Sequence, residues 1–350
     1  MSGTGIVELP DSPKDIVSSI KFSPVYNHLL ASSWDGIVHL YSTDPQSTQN
    51  DSLLKIDTHT PVTDITWDGF TWKKAFLSNV DGEVKEIDLE NARATNVIGT
   101  KHDSGIQALT YIPNSRGILV SGSWDKSIQY LDCRLQNSGK LGSTAYHTKL
   151  PEKVFAMDAT ENNVVVAMSN RLVHIYDIRN PTSPLQIRES GLKYQTRSLK
   201  CMPNGSGYAQ SSIEGRVAIE YFDPSSKVQA QKYAFKCHRL PCSDVDLVSP
   251  VNALSFHKKY GTLFTAGSDC HVCLWDQSSK KRLRQYSKFD QSVVCLDTDY
   301  KDGNSILAIA TSDDSFKTVA TLDGGAPLPS KSSIYLKYLG ENEGMPKTRS

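Results

Sequence analysis

The chain has no surplus of charge of either sign: 38 basic residues balance 38 acidic ones over 350 positions. Nucleic-acid backbones and anionic membranes call for a broad cationic field, so general binding to either is excluded and only a local patch is left open. No apolar run approaches the roughly 18 residues of a membrane-spanning helix. The opening MSGTGIVELPDSPKD lacks a basic n-region and an apolar h-region, and no secretory signal is read in it. Cysteines are few, seven in all, odd in number and scattered. That usage suits a reducing compartment, the cytosol or nucleus, better than a disulfide scaffold. No stretch carries a 3.6-residue apolar stripe, so helix content should be low. Walker, GxSxG and HExxH motifs are missing, and neither enzyme activity nor a cofactor or metal is expected. What remains, at 38% hydrophobic and 22% charged residues, is an ordinary globular composition.

What the chain does have is a repeat. VSSIKFSPVYNHLLASSWDGIVHLY, HDSGIQALTYIPNSRGILVSGSWDKSIQYLD and SPVNALSFHKKYGTLFTAGSDCHVCLWD share one grammar. An alternating strand is followed by a polar turn, a strand of small and apolar residues, an acidic turn and a second alternating strand. The turn residues Asp35, Asp81, Asp125, Asn170, Glu214, Asp269 and Asp313 recur every 44 to 46 positions, with one longer gap before Asp269. Four short strands in such a period are the signature of a WD40 β-propeller, and seven units predict an all-β, seven-bladed one. Leu274-Trp275-Asp276 and the histidines His59 and His102 fit the pattern. Strand-like residues 5–9 should pair beside 333–338 in the last blade and close the ring, which removes a sheet edge. Residues 1–340 then form one propeller, with a polar, loose tail over 341–350. Two segments break the period, at 237–250 and 322–332. Cys270 and Cys273 are read on one strand with opposite facings, which argues against a metal or redox pair. The recurring His, Asp and Ser residues are read as holding turns, not as a catalytic triad.

Strand polarity turns the repeat into geography. The innermost strand of each blade, A, starts on one rim, called the top here, and the turn between strands B and C returns to it. Arg216 begins strand C of the fifth blade, Arg197 lies at the start of its strand A, and Lys236 lies near the upper end of its strand D. Three cations should therefore converge on one rim, with Lys193 and Arg239 close in sequence. Arginine forks suit phosphate or carboxylate, so the cluster is a candidate site for phosphothreonine or phosphoserine; solvated charges partnered by Glu189 and Glu214 are the alternative. Trp34, Trp124 and Phe155 also fall on the top, and aromatics beside arginines are typical of binding hot spots.

Three blocks in blade five, ESGLKYQTR (189–197), SSIEGRVAIEYFDP (211–224) and KYAFKCHRL (232–240), resemble the mitotic-checkpoint WD-repeat family called Bub-three. SSWDG, GSWDKS and PVNALSFH agree, and the resemblance runs over nearly the whole chain. The sister family, the nuclear-pore mRNA-export propeller Rae-one or Gle-two, shares SIEGRVAI and FKCHR; Leu192-Lys193-Tyr194-Gln195-Thr196-Arg197 favours the checkpoint family. The resemblance implies a non-catalytic spindle assembly checkpoint adaptor, nuclear and at kinetochores in mitosis. Its partners would be the GLEBS segments of Bub-one and of BubR-one or Mad-three, held on the top face, and phosphorylated MELT repeats of the kinetochore scaffold. By the same resemblance Arg197, Arg216 and Lys236 would hold the MELT phosphothreonine, and Trp34, Trp124, Phe155, Lys193 and Tyr194 would contact GLEBS. Lys236 stands where some relatives have arginine, a point charge in place of a fork. No membrane and no direct nucleic-acid partner is implied.

Overall fold

The alternation of apolar and polar residues produces strands almost throughout. The computed structural model describes residues 5–44, 52–69, 71, 73–115, 117–137, 140–314 and 332–347. They form seven four-stranded antiparallel sheets, one two-stranded sheet and a single α-helix of four residues, Ser226–Gln229. The architecture is a seven-bladed β-propeller. The first strands of successive blades, beginning with Val17–Phe22 and Val62–Trp67, pack on one another around the axis, and Ser292–Lys301 of blade seven returns to Val17–Phe22. Each blade hides one apolar face against the next. At the join of the first and last blades Val17, Ile20, Leu29 and Tyr41 pack with Ile306, Ala308, Ile334 and Leu336, all buried. A side chain so buried contributes roughly 1.5–3 kcal/mol.

The ring closes as expected from the sequence. Ile6, Val7 and Glu8 pair with Lys337, Leu336 and Tyr335, so the chain's first strand is the outer strand of the last blade. Side chains reinforce this seam: Val17 N–H donates to Ser312 Oγ at 3.0 Å, and Phe22 N–H donates to Asp297 at 2.8 Å. Similar carboxylate latches join blades two and three (Leu109 N–H to Asp64, 2.9 Å) and blades four and five (Cys201 N–H to Asp158, 2.7 Å). Lys200 pairs with Asp158 at 3.8 Å beside them. Burial opposes the charge of Lys200, but Asp158 and Asp297 outweigh it and raise its pKa; burial and the nearby Lys200 lower that of Lys21.

The turns between strands B and C repeat one backbone shape. The position after the acidic residue takes a left-handed conformation, with φ of +78° at Gly36, +82° at Gly82, +65° at Lys126, +65° at Gly215 and +67° at Cys270. The fold thus tolerates a non-glycine there, although most L-residues avoid it. In blade three the turn is held by His102, whose Nδ1 lies 2.9 Å from Asp125 and whose Nε2 lies 2.9 Å from Ser121 Oγ. Blade six repeats this clasp with His238, Asp269 and Thr265, each contact 2.8 Å, and Trp275 Nε1 donates to Thr265 at 3.0 Å.

Several readings of the sequence are corrected. His59 is no clasp: it is exposed beside Asp57, and Thr58 takes its place by donating to the Gly36 and Thr60 carbonyls. Cys270 is not on a strand but in the turn, where its thiol donates to the Ser268 carbonyl, while Cys273 is buried on the following strand. Residues 237–250 contain a β-hairpin, Arg239–Cys242 paired with Val245–Val248. The tail expected to be loose from Glu341 is docked in its first residues. Glu343 accepts from Arg284 at 2.9 Å, Tyr286 at 2.8 Å and the Gly340 N–H at 3.1 Å, and Thr262 donates to the Gly344 carbonyl. Except for Ser332, the loop at 322–332 lies outside the described residues.

Candidate functional site

Blade five contains the strands Thr196–Cys201, Gly207–Ser212, Arg216–Tyr221 and Tyr233–Lys236. Register pairs Ser212 with Arg216 and Arg216 with Lys236, so the two cations face each other directly across strands C and D. Directly opposed residues of an antiparallel pair carry Cβ atoms about 5 Å apart, and like charges so placed repel. One carboxylate relieves this: Glu214 Oε1 lies 3.0 Å from Arg216 Nε. That nitrogen nevertheless makes no hydrogen bond among the described residues, so the contact is one of charge and not a directed bond. Lys236 is exposed and makes no ion pair among the described residues.

The backbone around the pair is tight. Gly215, at φ +65°, passes so close to blade six's approach that a Cβ there would sit 2.7 Å from the Cys237 carbonyl oxygen. This explains the glycine before Arg216. Arg239, the other nearby arginine, is committed to structure: it donates to the Glu214 carbonyl at 2.7 Å and to the Gly215 carbonyl at 3.4 Å, and lies 3.6 Å from Asp246. It ties the base of the hairpin to the turn that carries Arg216.

Arg197 is set apart from the pair. It lies on strand A, two strand spacings or about 10 Å inward from strand C. There it shares the upper mouth of the central channel with Phe155, Gln107, Asn252 and Val294. Its Nη2 makes one long hydrogen bond, 3.4 Å, to Asn252, and its buried Nε has no partner among the described residues. Burial lowers the pKa of its guanidinium, against the pull of Asp314. An extended ligand would have to cross two strands to reach both Arg197 and Lys236.

The aromatic candidates divide. Trp34 is 41% exposed on blade one and Tyr194 is 48% exposed before blade five, with Lys193 5.7 Å over its ring. Trp124 is only partly exposed and packs over Gly105, where a Cβ would meet its ring at 2.9 Å. A cavity of about 810 Å³ lies elsewhere: the lower ends of the A strands line it, with Lys21, Asp64, Asp158, Lys200 and Asp297, on the face opposite Arg216. Its charges serve as the latches described above. Of the two carboxylates offered as partners of these cations in the alternative reading of the sequence, Glu214 does meet Arg216, whereas Glu189 pairs with Arg171 at 3.0 Å.

With this geometry in view, comparison with known proteins is specific. The family described as WD domain, G-beta repeat matches residues 6–42, 95–132 and 232–276. Each match starts on the outer strand of one blade and ends on strand C of the next, and the last spans the inserted hairpin. The chain is 39% identical to Mitotic checkpoint protein BUB3.1 of Arabidopsis thaliana, over 98% of this chain and 95% of that protein. It is 36% identical to Spindle assembly checkpoint protein bub3 of Schizosaccharomyces pombe, over 96% and 97%. It is also 33% identical to the Poly(A)+ RNA export protein of the same yeast, over 98% and 93%. Similarity at this level along the whole propeller assigns the chain: it belongs to the Bub3 family of WD-repeat proteins.

Proposed function

We propose that this chain is a non-catalytic adaptor of the spindle assembly checkpoint, nuclear and at kinetochores in mitosis. It reads phosphorylated MELT-type threonines through Arg216 and Lys236, with Arg197 meeting a neighbouring acidic group. On the same face it holds the GLEBS segments of Bub-one and BubR-one or Mad-three partners, through Trp34, Trp124, Phe155, Lys193 and Tyr194. The observation that carries this reading is the cross-strand pair of Arg216 and Lys236, which is exposed and without an ion pair among the described residues, at the top rim. Two relatives named for the checkpoint supply the setting.

The mechanism is electrostatic. Phosphorylation adds roughly 1.5 to 2 negative charges to a threonine at neutral pH. The unmodified hydroxyl leaves the opposed cations repelling; the phosphate bridges them. A charge-assisted hydrogen bond of this kind contributes about 1.5–3 kcal/mol. A kinase signal thereby becomes recruitment of whatever the rest of the top face holds.

The test is a titration with a labelled MELT-type peptide, with and without phosphate on its threonine, at two salt concentrations. Binding is expected only with the phosphate, weakened by salt. Arg216→Ala should weaken it about thirtyfold while the fold survives; an unchanged affinity refutes the assignment. A second reading, docking at the nuclear pore in mRNA export, is favoured by the relative named for poly(A)+ RNA export. It requires no phosphothreonine, so phosphate independence would move it to the front.

A further inference from the structure

The turn carboxylate of blade five has been released from its usual work. In blade three the His102 N–H donates to the Gly82 carbonyl and its ring holds Asp125 and Ser121. In blade five Ser190 makes the equivalent backbone bond, to the Arg171 carbonyl, and so stands where His102 stands. Its hydroxyl donates to Gln210 Oε1 at 3.1 Å, and Gln210 in turn donates to Thr196 at 2.6 Å. Gln210 and Ser121 each lie four residues before their turn acids, Glu214 and Asp125. Serine and glutamine thus hold this blade without the turn acid. Glu214, one methylene longer than the aspartates elsewhere, reaches Arg216 instead. Asp35 of blade one, in contrast, folds back and accepts the Ile37 N–H at 2.9 Å.

We propose that Glu214 is an internal competitor for the anion site formed by Arg216 and Lys236. This rests on the phosphothreonine reading above. In the free protein its carboxylate neutralises one of two opposed cations and lies where part of a ligand's charge would go. An incoming phosphate must take Arg216 from it. The off-angle contact keeps that exchange shallow and reversible, so Glu214 sets the strength of capture and prevents the site from holding any passing acidic peptide.

Two substitutions separate competition from net charge. Glu214→Gln removes the charge. Glu214→Asp keeps it but is expected to fold the carboxylate back onto the Arg216 N–H, as Asp35 does onto Ile37. A surface ion pair holds its partner by a factor of about five at most. Glu214→Gln should therefore bind the phosphorylated MELT-type peptide about fivefold more tightly, with the gain shrinking in high salt. Glu214→Asp should also bind more tightly, by a smaller factor. Weaker or unchanged binding by both variants overturns the proposal, and would make Glu214 a support for Arg216. Tighter binding by the Gln variant alone overturns the geometric competition and leaves a general charge effect. The wild-type titration judges the underlying reading separately: if neither the wild type nor either variant binds, both fall, and if both variants bind where the wild type does not, the competitor stands.

Discussion

Gly215 offers a perturbation whose cost divides into two measurable parts. Its φ of +65° is left-handed, and a Cβ would lie 2.7 Å from the Cys237 carbonyl oxygen and 3.1 Å from both the Ser249 carbonyl and Val248 Cγ1. Gly205, in the turn after strand A of the same blade, has an almost identical φ of +68° with nothing within 4 Å. Gly205→Ala should therefore show the conformational penalty alone, about 1–2 kcal/mol. Gly215→Ala should add an overpacking cost of about 1–3 kcal/mol, because a backbone oxygen must move. Gly215 is also bonded to the site: its carbonyl accepts the Cys237 N–H at 2.9 Å, next to Lys236. Pushing Cys237 away shifts Lys236 relative to Arg216, so phosphopeptide affinity should fall at least tenfold for Gly215→Ala and stay unchanged for Gly205→Ala, on the opposite face. Urea denaturation and the peptide titration read the two effects. Equal stability losses in the two variants, or full affinity in Gly215→Ala, would refute the reasoning that the glycine is there for the close approach of Cys237.

Acid should weaken the fold well above the carboxylate range. His39 is buried, stacked on Tyr41 with ring centroids 5.8 Å apart, and its Nδ1 has no partner among the described residues; burial lowers its pKa to about 4. The unfolded chain takes up that proton first, near pH 6.5, so stability is complete above 6.5 and falls by about 3 kcal/mol as the pH drops to about 4. His39→Phe should flatten this part of the profile, measured by urea denaturation at several pH values. On the top face, Trp34→Ala should weaken a GLEBS peptide about tenfold with little change in stability. Trp124→Ala, which uncovers Gly105, should instead cost about 2–3 kcal/mol of stability; calorimetry and peptide titration on both variants distinguish the roles.

The fold was legible because its signals are local and repeated. Period-two alternation, an acidic turn every 44 to 46 residues and the strand-like residues 5–9 each point to one architecture. Arg216 and Lys236 were also legible, since strand polarity alone brings the start of strand C and the end of strand D to one rim. The failures involve partners distant in sequence. Glu343 reads as solvated tail charge, yet the ring brings Arg284, Tyr286 and Lys337 to it. Residues 239–248 expose Leu240, Val245 and Leu247 at 60%, 71% and 60%, so their alternation faces no core that would mark them as strands. His59 reads as a clasp and is none, while His238 is a clasp that the repeat does not mark, and both have one cause. A clasp histidine is defined by the groups that face it, and the inserted hairpin shifts His238 away from its expected spacing before blade six.

The distribution of clasps over the top face accounts for where a binding site can form. In blades three and six the turn acid is fully engaged: Asp125 bonds His102 and Ser127, and Asp269 bonds His238 and the His271 N–H. Burial disfavours the charge on each, but the hydrogen bonds prevail and both pKa values are lowered. Such a carboxylate is fixed and cannot answer a ligand. Blade one lacks the histidine, yet Asp35 is still taken up by the Ile37 and Lys14 N–H groups. Blade five differs from both, because Ser190 and Gln210 supply its internal bond and Glu214 is too long to fold back as Asp35 does. There the turn acid is unneeded by the blade and within reach of a cation. The same substitutions that depart from the WD pattern therefore leave one blade's rim electrostatically adjustable, beside an exposed lysine and a backbone held rigid by Gly215 and Arg239.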